Sequence, residues 1–376
     1  MGERYIPYGR QWVDADDMEA VAEVMGGEWL TTGPNVERFE QQLARAAGAR
    51  CAVALNSGTA ALHSAYRAVG VGPKTEVVVP ALTFSATANA ATYLGATVRF
   101  ADICEQTLTV DPASVKRLVN ERTAAVVAVD FAGHSADMDA VAQVADGGEA
   151  AVVQDAAHSL GGAYRGQPVG SVADITTFSF HPVKAVTTGE GGAAVTDDER
   201  WAESMRRFRN HGMHGSDEDG APWSYDIDEI GYNYRITDLQ CALGSSQLEK
   251  LERFVERRRQ IAARYRTNLA ELEDVELPPQ SAWCDHAYHL FVIRVPAGRR
   301  RQIFEGLRQE GIGVQLHYIP VNVLSAYQQR GHDPRDTPVA WREYRRMISI
   351  PCYPKMTDGE VEYVVEALRR VVGGHR

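Results

Sequence analysis

Between about residue 50 and residue 200, short apolar runs alternate with Ala-rich or amphipathic segments. This is the pattern of strand-helix-strand units and a largely parallel sheet. Runs at Ala52 to Leu55, Val77 to Val79, Thr97 to Ala101, Ala124 to Asp130, Ala150 to Gln154, Ile175 to Phe180 and Ala193 to Thr196 predict buried strands. The segments Ala60 to Val69, Ser85 to Leu94, Pro112 to Asn120 and Asp137 to Ala145 predict helices, with Asp111-Pro112 as cap and first turn of the third. The expected architecture is α/β and doubly wound. Beyond Asp238 the pattern changes to one long helical stretch through Glu273 and a Pro278-Pro279 turn. A strand at His289 to Val295, a helix at Arg300 to Glu310, a strand at Val314 to Tyr318 and a closing helix at Asp358 to Val372 follow. A chain of 376 residues exceeds what one core usually covers. The expectation is therefore a large domain over residues 1–238 and a smaller α+β domain over 239–376, opened by a long connecting helix.

Composition narrows the function classes. No apolar run approaches the ~20 residues that span a bilayer, so no membrane role is expected. The opening, Met1 to Gln11, carries Glu3, Arg4 and Arg10 without an apolar core behind them, unlike a secretory signal, which points to the cytoplasm. Five cysteines lie far apart and form no C-x-x-C pair, which argues against a disulfide framework and a zinc site. A formal net charge of -11 disfavours nucleic-acid phosphates. The basic runs Arg206, Arg207, Arg209 and Arg257, Arg258, Arg259 have as their ordinary reading a solvated helix face, although the first sits beside a glycine-bearing turn that suits an anion. There is no G-x-G-x-x-G after a strand, no P-loop signature, no H-E-x-x-H and no G-x-S-x-G.

The chemistry concentrates between Ala150 and Gly192. A-A-V-V-Q-D-A-A-H is a strand ending in Asp155, at the carboxyl edge where α/β sheets place ligands, and a carboxylate there suits a cationic ring. T-F-S-F-H-P-V-K-A-V-T-T-G-E-G-G delivers Lys184 from a strand end into a glycine-rich turn. Lysine alone among side chains forms a Schiff base with an aldehyde cofactor. A pyridoxal enzyme asks for such a lysine, an acid for the ring nitrogen and a phosphate cradle. The cradle candidate is Ser57, Gly58 and Thr59, after a strand and at the start of a helix, where backbone amides meet an anion. Taken singly, each piece has an ordinary structural reading as a cap, salt-bridge partner, solvated lysine or turn. Their order on one sheet favours the joint reading.

The strings N-S-G-T-A-A-L, P-A-L-T-F-S-A-T-A-N-A, Q-D-A-A-H, S-F-H-P-V-K-A-V-T-T-G-E-G-G, R-N-H-G-M and G-Y-N-Y-R-I-T-D-L-Q-C-A-L-G resemble the nucleotide-sugar aminotransferases of the DegT/DnrJ type, from Tyr8 to about Leu368. The resemblance implies an aspartate-aminotransferase-like, fold type I protein with a mixed sheet, using pyridoxal 5'-phosphate and, in mid-cycle, pyridoxamine 5'-phosphate. It implies that Lys184 bonds to the cofactor and moves the proton, that Asp155 pairs with the pyridine nitrogen, and that Phe84 stacks on the ring. By the same resemblance His158 lies near the ring hydroxyl, and Ser57, Gly58, Thr59 and Ser179 bind phosphate. Asn233 reaches the phosphate of a partner subunit in a homodimer. Trp29, Leu30, Thr31, Thr32, His181, Arg235, His317 and Tyr318 are implied substrate contacts. Position 322 is Asn where the family often carries His.

The implied reaction is ping-pong transfer from L-glutamate to a nucleotide-linked keto-sugar. I-P-Y-G-R-Q and G-E-W-L-T-T-G-P-N-V-E-R-F-E are most similar to the branch that aminates C4 of a UDP-linked 4-keto-6-deoxy sugar in pseudaminic acid synthesis. A C3 keto-sugar, a dTDP carrier, a keto-cyclitol and a non-catalytic sugar-nucleotide binder stay open. Relatives that dehydrate sugars carry His where Lys184 stands.

Overall fold

The computed structural model describes residues 5–147, 149–215 and 223–373. Its main sheet is built from β1 (Cys51–Leu55), β2 (Glu76–Pro80), β3 (Thr97–Ala101), β4 (Thr123–Val129), β5 (Ala151–Asp155), β8 (Ile175–Ser179) and β9 (Gly192–Thr196). Between β5 and β8 a small ribbon, β6 (Ala163–Tyr164) and β7 (Gln167–Pro168), lies outside this sheet. The strand order is β1-β9-β8-β5-β4-β2-β3. Only β9 runs against its neighbours, so the sheet is mixed but mainly parallel. Each strand predicted between residues 50 and 200 is present, with ends shifted by a residue or two.

Period-two alternation explains how this sheet is covered. Val77, Val79, Val127 and Val129 point to one face, where they pack with α3 (Gly58–Ala68), α4 (Ser85–Tyr93) and α7 (Glu199–Arg209). The intervening Val78, Val126, Ala128 and Val152 point to the other face, against α5 (Pro112–Leu118) and α6 (Met138–Asp146). Further along that face, Ala52, Ala54, Phe178, Ala193 and Val195 bury α2 (Pro34–Ala47) and α8 (Asp238–Leu248). Asp111 caps α5 through the amides of Ala113 and Ser114, as expected. A separate apolar cluster joins α9 (Leu251–Leu269), α10 (Arg300–Gln309), the antiparallel pair Phe291–Arg294 and Met347–Ile350, and the closing helix Asp358–Gly373.

Two expectations fail for physical reasons. The helix expected through Glu273 is broken at Glu249–Lys250 and its second part ends at Leu269. There the Lys250 ammonium turns to the start of α1 (Ala15–Met25), pairing with Asp14 and with Asp17 at 3.0 Å, while Gln247 donates to Asp17 at 2.7 Å. Helical periodicity carries no sign of that long-range pull. Val314 to Tyr318 is extended but is no strand: Gln315 alone exchanges backbone bonds with Ser349, at 3.2 and 2.8 Å. No helix among the described residues is long and apolar enough to cross a membrane.

Phe39 of α2 is fully buried and meets the Phe180 ring edge-on at 5.3 Å, which locks α2 to the sheet. Phe39→Ala is expected to lower stability by about 3–5 kcal/mol, read as a drop in the urea midpoint at unchanged slope.

Candidate active site

In a parallel sheet the carboxyl ends of successive strands open on one edge, and side chains following them meet there. β1 leads to Ser57, β2 to Thr83 and Phe84, β5 ends in Asp155 and β8 in Ser179. The reversed strand β9 starts at that same edge, so the G-E-G-G turn arrives there as well. The result is a cavity of about 450 Å³. It gathers the predicted cradle Ser57, Gly58, Thr59 and Ser179, then Phe84, and the trio Asp155, His158 and Lys184. His181, His317 and Tyr318 complete the predicted set within it.

Asp155 is 7% exposed and accepts from Thr87 Oγ1 at 2.8 Å and from the Ala157 amide at 3.2 Å. Because Thr87 spends its proton on the carboxylate, it accepts in turn from Thr83 Oγ1 at 2.7 Å. Burial raises the Asp155 pKa above the usual carboxylate range, against the lowering effect of these bonds and of Lys184. A cation placed beside this carboxylate would reverse that cost. Lys184 sits in a turn closed by its amide donating to His181 O at 2.9 Å. Burial lowers its amine to about 8; Asp155 works in the opposite direction and Arg258 adds to the lowering.

His158 is held well below its ordinary range, first by burial and then by Lys184, His317 and Arg258, so the ring is neutral. Its Nδ1 accepts the Ala132 amide at 3.3 Å, which puts the ring proton on Nε2. That proton is donated to Tyr318 Oη at 3.1 Å, leaving the phenol hydrogen free to donate elsewhere. Burial likewise lowers His317 to about 4.

The cradle suits a phosphate. Ser57 Oγ accepts from the Ala60 amide at 3.1 Å and so caps α3, while the first N–H groups of the helix have no intrahelical acceptor. A Cβ on Gly58 would lie 2.9 Å from Ser179 Cβ, and one on Gly192 only 2.4 Å from the Ser57 backbone. Glycine is therefore required for β9 and β8 to close on the helix start. An anion-binding helix start, an uncompensated buried carboxylate and a partly deprotonated lysine match the three demands of a pyridoxal phosphate group.

Other predicted residues lie outside this cavity. Trp29 is 55% exposed and lines a groove between α1, α2 and α8. Leu30 accepts the Asp238 amide and Thr31 bridges Thr237. Thr32 and Arg235 share a second cleft with Arg206 and Arg209, where Arg235 donates to Asn210 Oδ1 at 2.8 Å. Asn233 bridges Asn210, and its carbonyl accepts from the side chain of Asn56, next to the cradle. Within one chain these six do not join Lys184. At the departure, Asn322 is buried and donates to Thr337 Oγ1 at 2.9 Å and to the Asp333 carbonyl at 3.2 Å, while its Oδ1 finds no donor. Missed at the sequence level were Thr83, Thr87, Tyr8, Glu190, His289 and Arg258. Only the Thr83/Thr87 spacing, one helical turn apart in P-A-L-T-F-S-A-T, offered a signal. No group of three or more His, Cys, Asp or Glu among the described residues is placed to hold a metal.

Fold and site together define a fold type I enzyme dependent on pyridoxal phosphate, and the comparisons agree. The chain belongs to the DegT/DnrJ/EryC1/StrS aminotransferase family, which it matches over residues 11–369. It is 40% identical over 98% of its length to the spore coat polysaccharide biosynthesis protein SpsC of Bacillus subtilis (strain 168), covering 98% of that protein. Among solved structures it resembles the putative sugar aminotransferase Spr1654 of Streptococcus pneumoniae in its PMP form. There the TM-score is 0.94 and the identity 31%, over 98% of this chain and 99% of that one. It also resembles PseC of Helicobacter pylori, an aminotransferase involved in the biosynthesis of pseudoaminic acid. For that pair the TM-score is 0.93 and the identity 31%, over 99% of this chain and 100% of that one. The protein is thus a pyridoxal-phosphate-dependent sugar aminotransferase.

Gly192→Ala is expected to push the Ser57-Gly58 peptide out of place and weaken pyridoxal phosphate binding by about tenfold or more, some 1.4 kcal/mol, in a fluorescence titration of the apoprotein. A second outcome follows from Lys184, whose folded pKa near 8 lies below the 10.5 of an ordinary lysine. The cost of burying its charge is full below pH 8 and fades as pH rises toward 10.5, because the unfolded chain then holds the extra proton. Apo Lys184→Met is therefore expected to melt higher than wild type at pH 7, with the gap shrinking by pH 10.

Proposed function

We propose that the protein transfers an amino group from L-glutamate to C4 of a UDP-linked 4-keto-6-deoxyhexose, in a ping-pong cycle run by a cytoplasmic homodimer. The carrying observation is the Lys184 amine, lowered to about 8, in one cavity with the buried Asp155 carboxylate and the α3 amides. An amine with that pKa both holds a cofactor aldehyde and returns as a base near neutral pH. Lys184 is assigned these tasks and moves the proton at Nζ. Asp155 is assigned to the ring nitrogen, Phe84 to the ring face, and Ser57, Gly58, Thr59 and Ser179 to the phosphate. Neutral His158 is assigned to the ring hydroxyl. The bound cofactor supplies an electron sink that makes the hydrogen next to the transferred nitrogen acidic.

His181, His317 and Tyr318 are taken as sugar contacts, since they share the cavity. Trp29, Leu30, Thr31, Thr32, Asn233 and Arg235 lie apart from Lys184 in one chain, and we assign them to the site of the other subunit. Exposed Trp223, Tyr225, Ile230 and Tyr232 form apolar surface beside Asn233, in keeping with a dimer contact. The large part is taken as residues 1–238 and the small part as 239–376. The likeness to PseC, an aminotransferase of pseudoaminic acid biosynthesis, favours the branch whose sequence resemblance implies C4 amination, and the five free cysteines suit a reducing compartment.

Lys184→Ala is expected to lose both turnover and the cofactor bond that borohydride fixes, read as the mass of the chain. Wild-type protein given glutamate and a panel of 3-keto and 4-keto UDP- and dTDP-sugars and keto-cyclitols is expected to aminate the UDP-4-keto sugar, with the amine position read by NMR. Amination of a 3-keto sugar or cyclitol would replace the C4 reading. Absence of turnover on every acceptor, with glutamate leaving the cofactor spectrum unchanged, would favour a binding protein.

A further inference from the structure

Arg258, on α9, is 1% exposed, the largest fully buried side chain among the described residues. Among the described residues it makes no ion pair with a carboxylate. Nη1 donates to the carbonyls of Tyr288 at 3.3 Å, His289 at 3.1 Å and Cys352, and Nη2 donates to Val183 at 3.4 Å. Nε finds no acceptor at all. Cys352 supplies no hidden anion, because burial pushes its thiol up to about 11. Arginine is rarely buried in full without an anion, since an unpaired guanidinium gives up its hydration for carbonyl dipoles alone. A charge kept there at such a cost needs a reason.

The four carbonyls come from three separate segments, and two of these segments bear on the cavity. Val183 precedes Lys184, so the fork grips the base of the lysine turn. His289 lines the cavity, lies against His158 with ring centres 4.3 Å apart and planes tilted by 31°, and keeps Nδ1 unpartnered. One guanidinium therefore ties the lysine's turn to the His289 segment of the cavity lining.

The charges around Lys184 come from several elements. Asp155, at the end of β5, favours the charged amine. His158 follows β5 and His317 lies beyond α10, and both are neutral through burial. His181, Glu190, Tyr8 and Tyr318 line the same cavity. Arg258 alone among the groups acting on Lys184 keeps a positive charge at every working pH.

We propose that Arg258 is a positioning residue for the amine chemistry: its unpaired guanidinium clamps the Val183 carbonyl next to Lys184 and brings a lasting positive charge to the lysine's turn. The proposal rests on the reading of Lys184 as the cofactor-bearing amine. Arg258→Gln keeps a donor and removes the charge, whereas Arg258→Lys keeps the charge and removes the fork. The full-length apoprotein is labelled with trace acetic anhydride from pH 6.5 to 11, and modification at Lys184 is read by peptide mass spectrometry.

Wild type is expected to reach half-reactivity near pH 8. Arg258→Gln is expected to move that midpoint up by about one unit, a tenfold loss of reactive amine at pH 7. Arg258→Lys is expected to keep the midpoint within about half a unit while lowering kcat, because the turn is no longer gripped. An unmoved midpoint in Arg258→Gln, or an equal rise in both variants, overturns the proposal. If Arg258→Gln does not fold, Arg258→Met decides: because burial lowers Lys184 in both proteins, a midpoint unmoved from wild type refutes the claimed field and a rise of about one unit supports it. Failure of wild type to take up pyridoxal phosphate at Lys184 would instead refute the underlying reading, whatever the variants do.

Discussion

The site depends on keeping a carboxylate and an amine out of water together, at the edge where the parallel strands end. Asp155 is buried with only neutral donors on its oxygens, and Lys184 is buried beside it with its proton loosely held. Neither state would persist at an exposed position, where water would restore ordinary titration. The sheet makes the arrangement possible, because β5 delivers the acid at its last residue and the reversed β9 brings the glycine turn back to the same edge. Charges held in this way respond strongly to whatever binds between them.

The neutral groups are ordered by that same burial. His158 cannot carry two protons here, and the Ala132 amide decides which nitrogen keeps the one it has. The tautomer then fixes the direction of the bond to Tyr318, whose own hydrogen remains available to a ligand. Ala132 adopts a positive φ of 60° and Gly133 one of 97°, and a Cβ on Gly133 would lie 2.9 Å from the His158 carbonyl. A strained turn after β4 thus sets the polarity of a hydrogen-bond chain on the next strand.

Much of this was legible in the chain. Val77, Val78 and Val79 belong to one run, and a buried parallel strand needs apolar residues on both faces, so the run itself foretold the layers. Asp155 and the Ser57 turn were legible because each sits at the end of a strand, and Lys184 because its turn joins two strand ends, where position along the sequence fixes position in space. Arg258 and His289 were not, since an arginine in R-R-R on an amphipathic helix has the look of a solvated face. Only tertiary packing turns the middle one inward. The break at Lys250 was hidden for the same reason: its partners, Asp14 and Asp17, are more than two hundred residues away.

On the proposed assignment of substrate contacts, chemistry and selection are separated in this architecture. The groups around Lys184 come from strand ends whose places are dictated by the sheet, and relatives with TM-scores of 0.93 and 0.94 share that frame. Trp29, Thr32 and Arg235 instead sit on connecting segments with room to change without disturbing a core residue. A fold that fixes the reactive amine and leaves the substrate wall to loops can meet different sugars with one reaction.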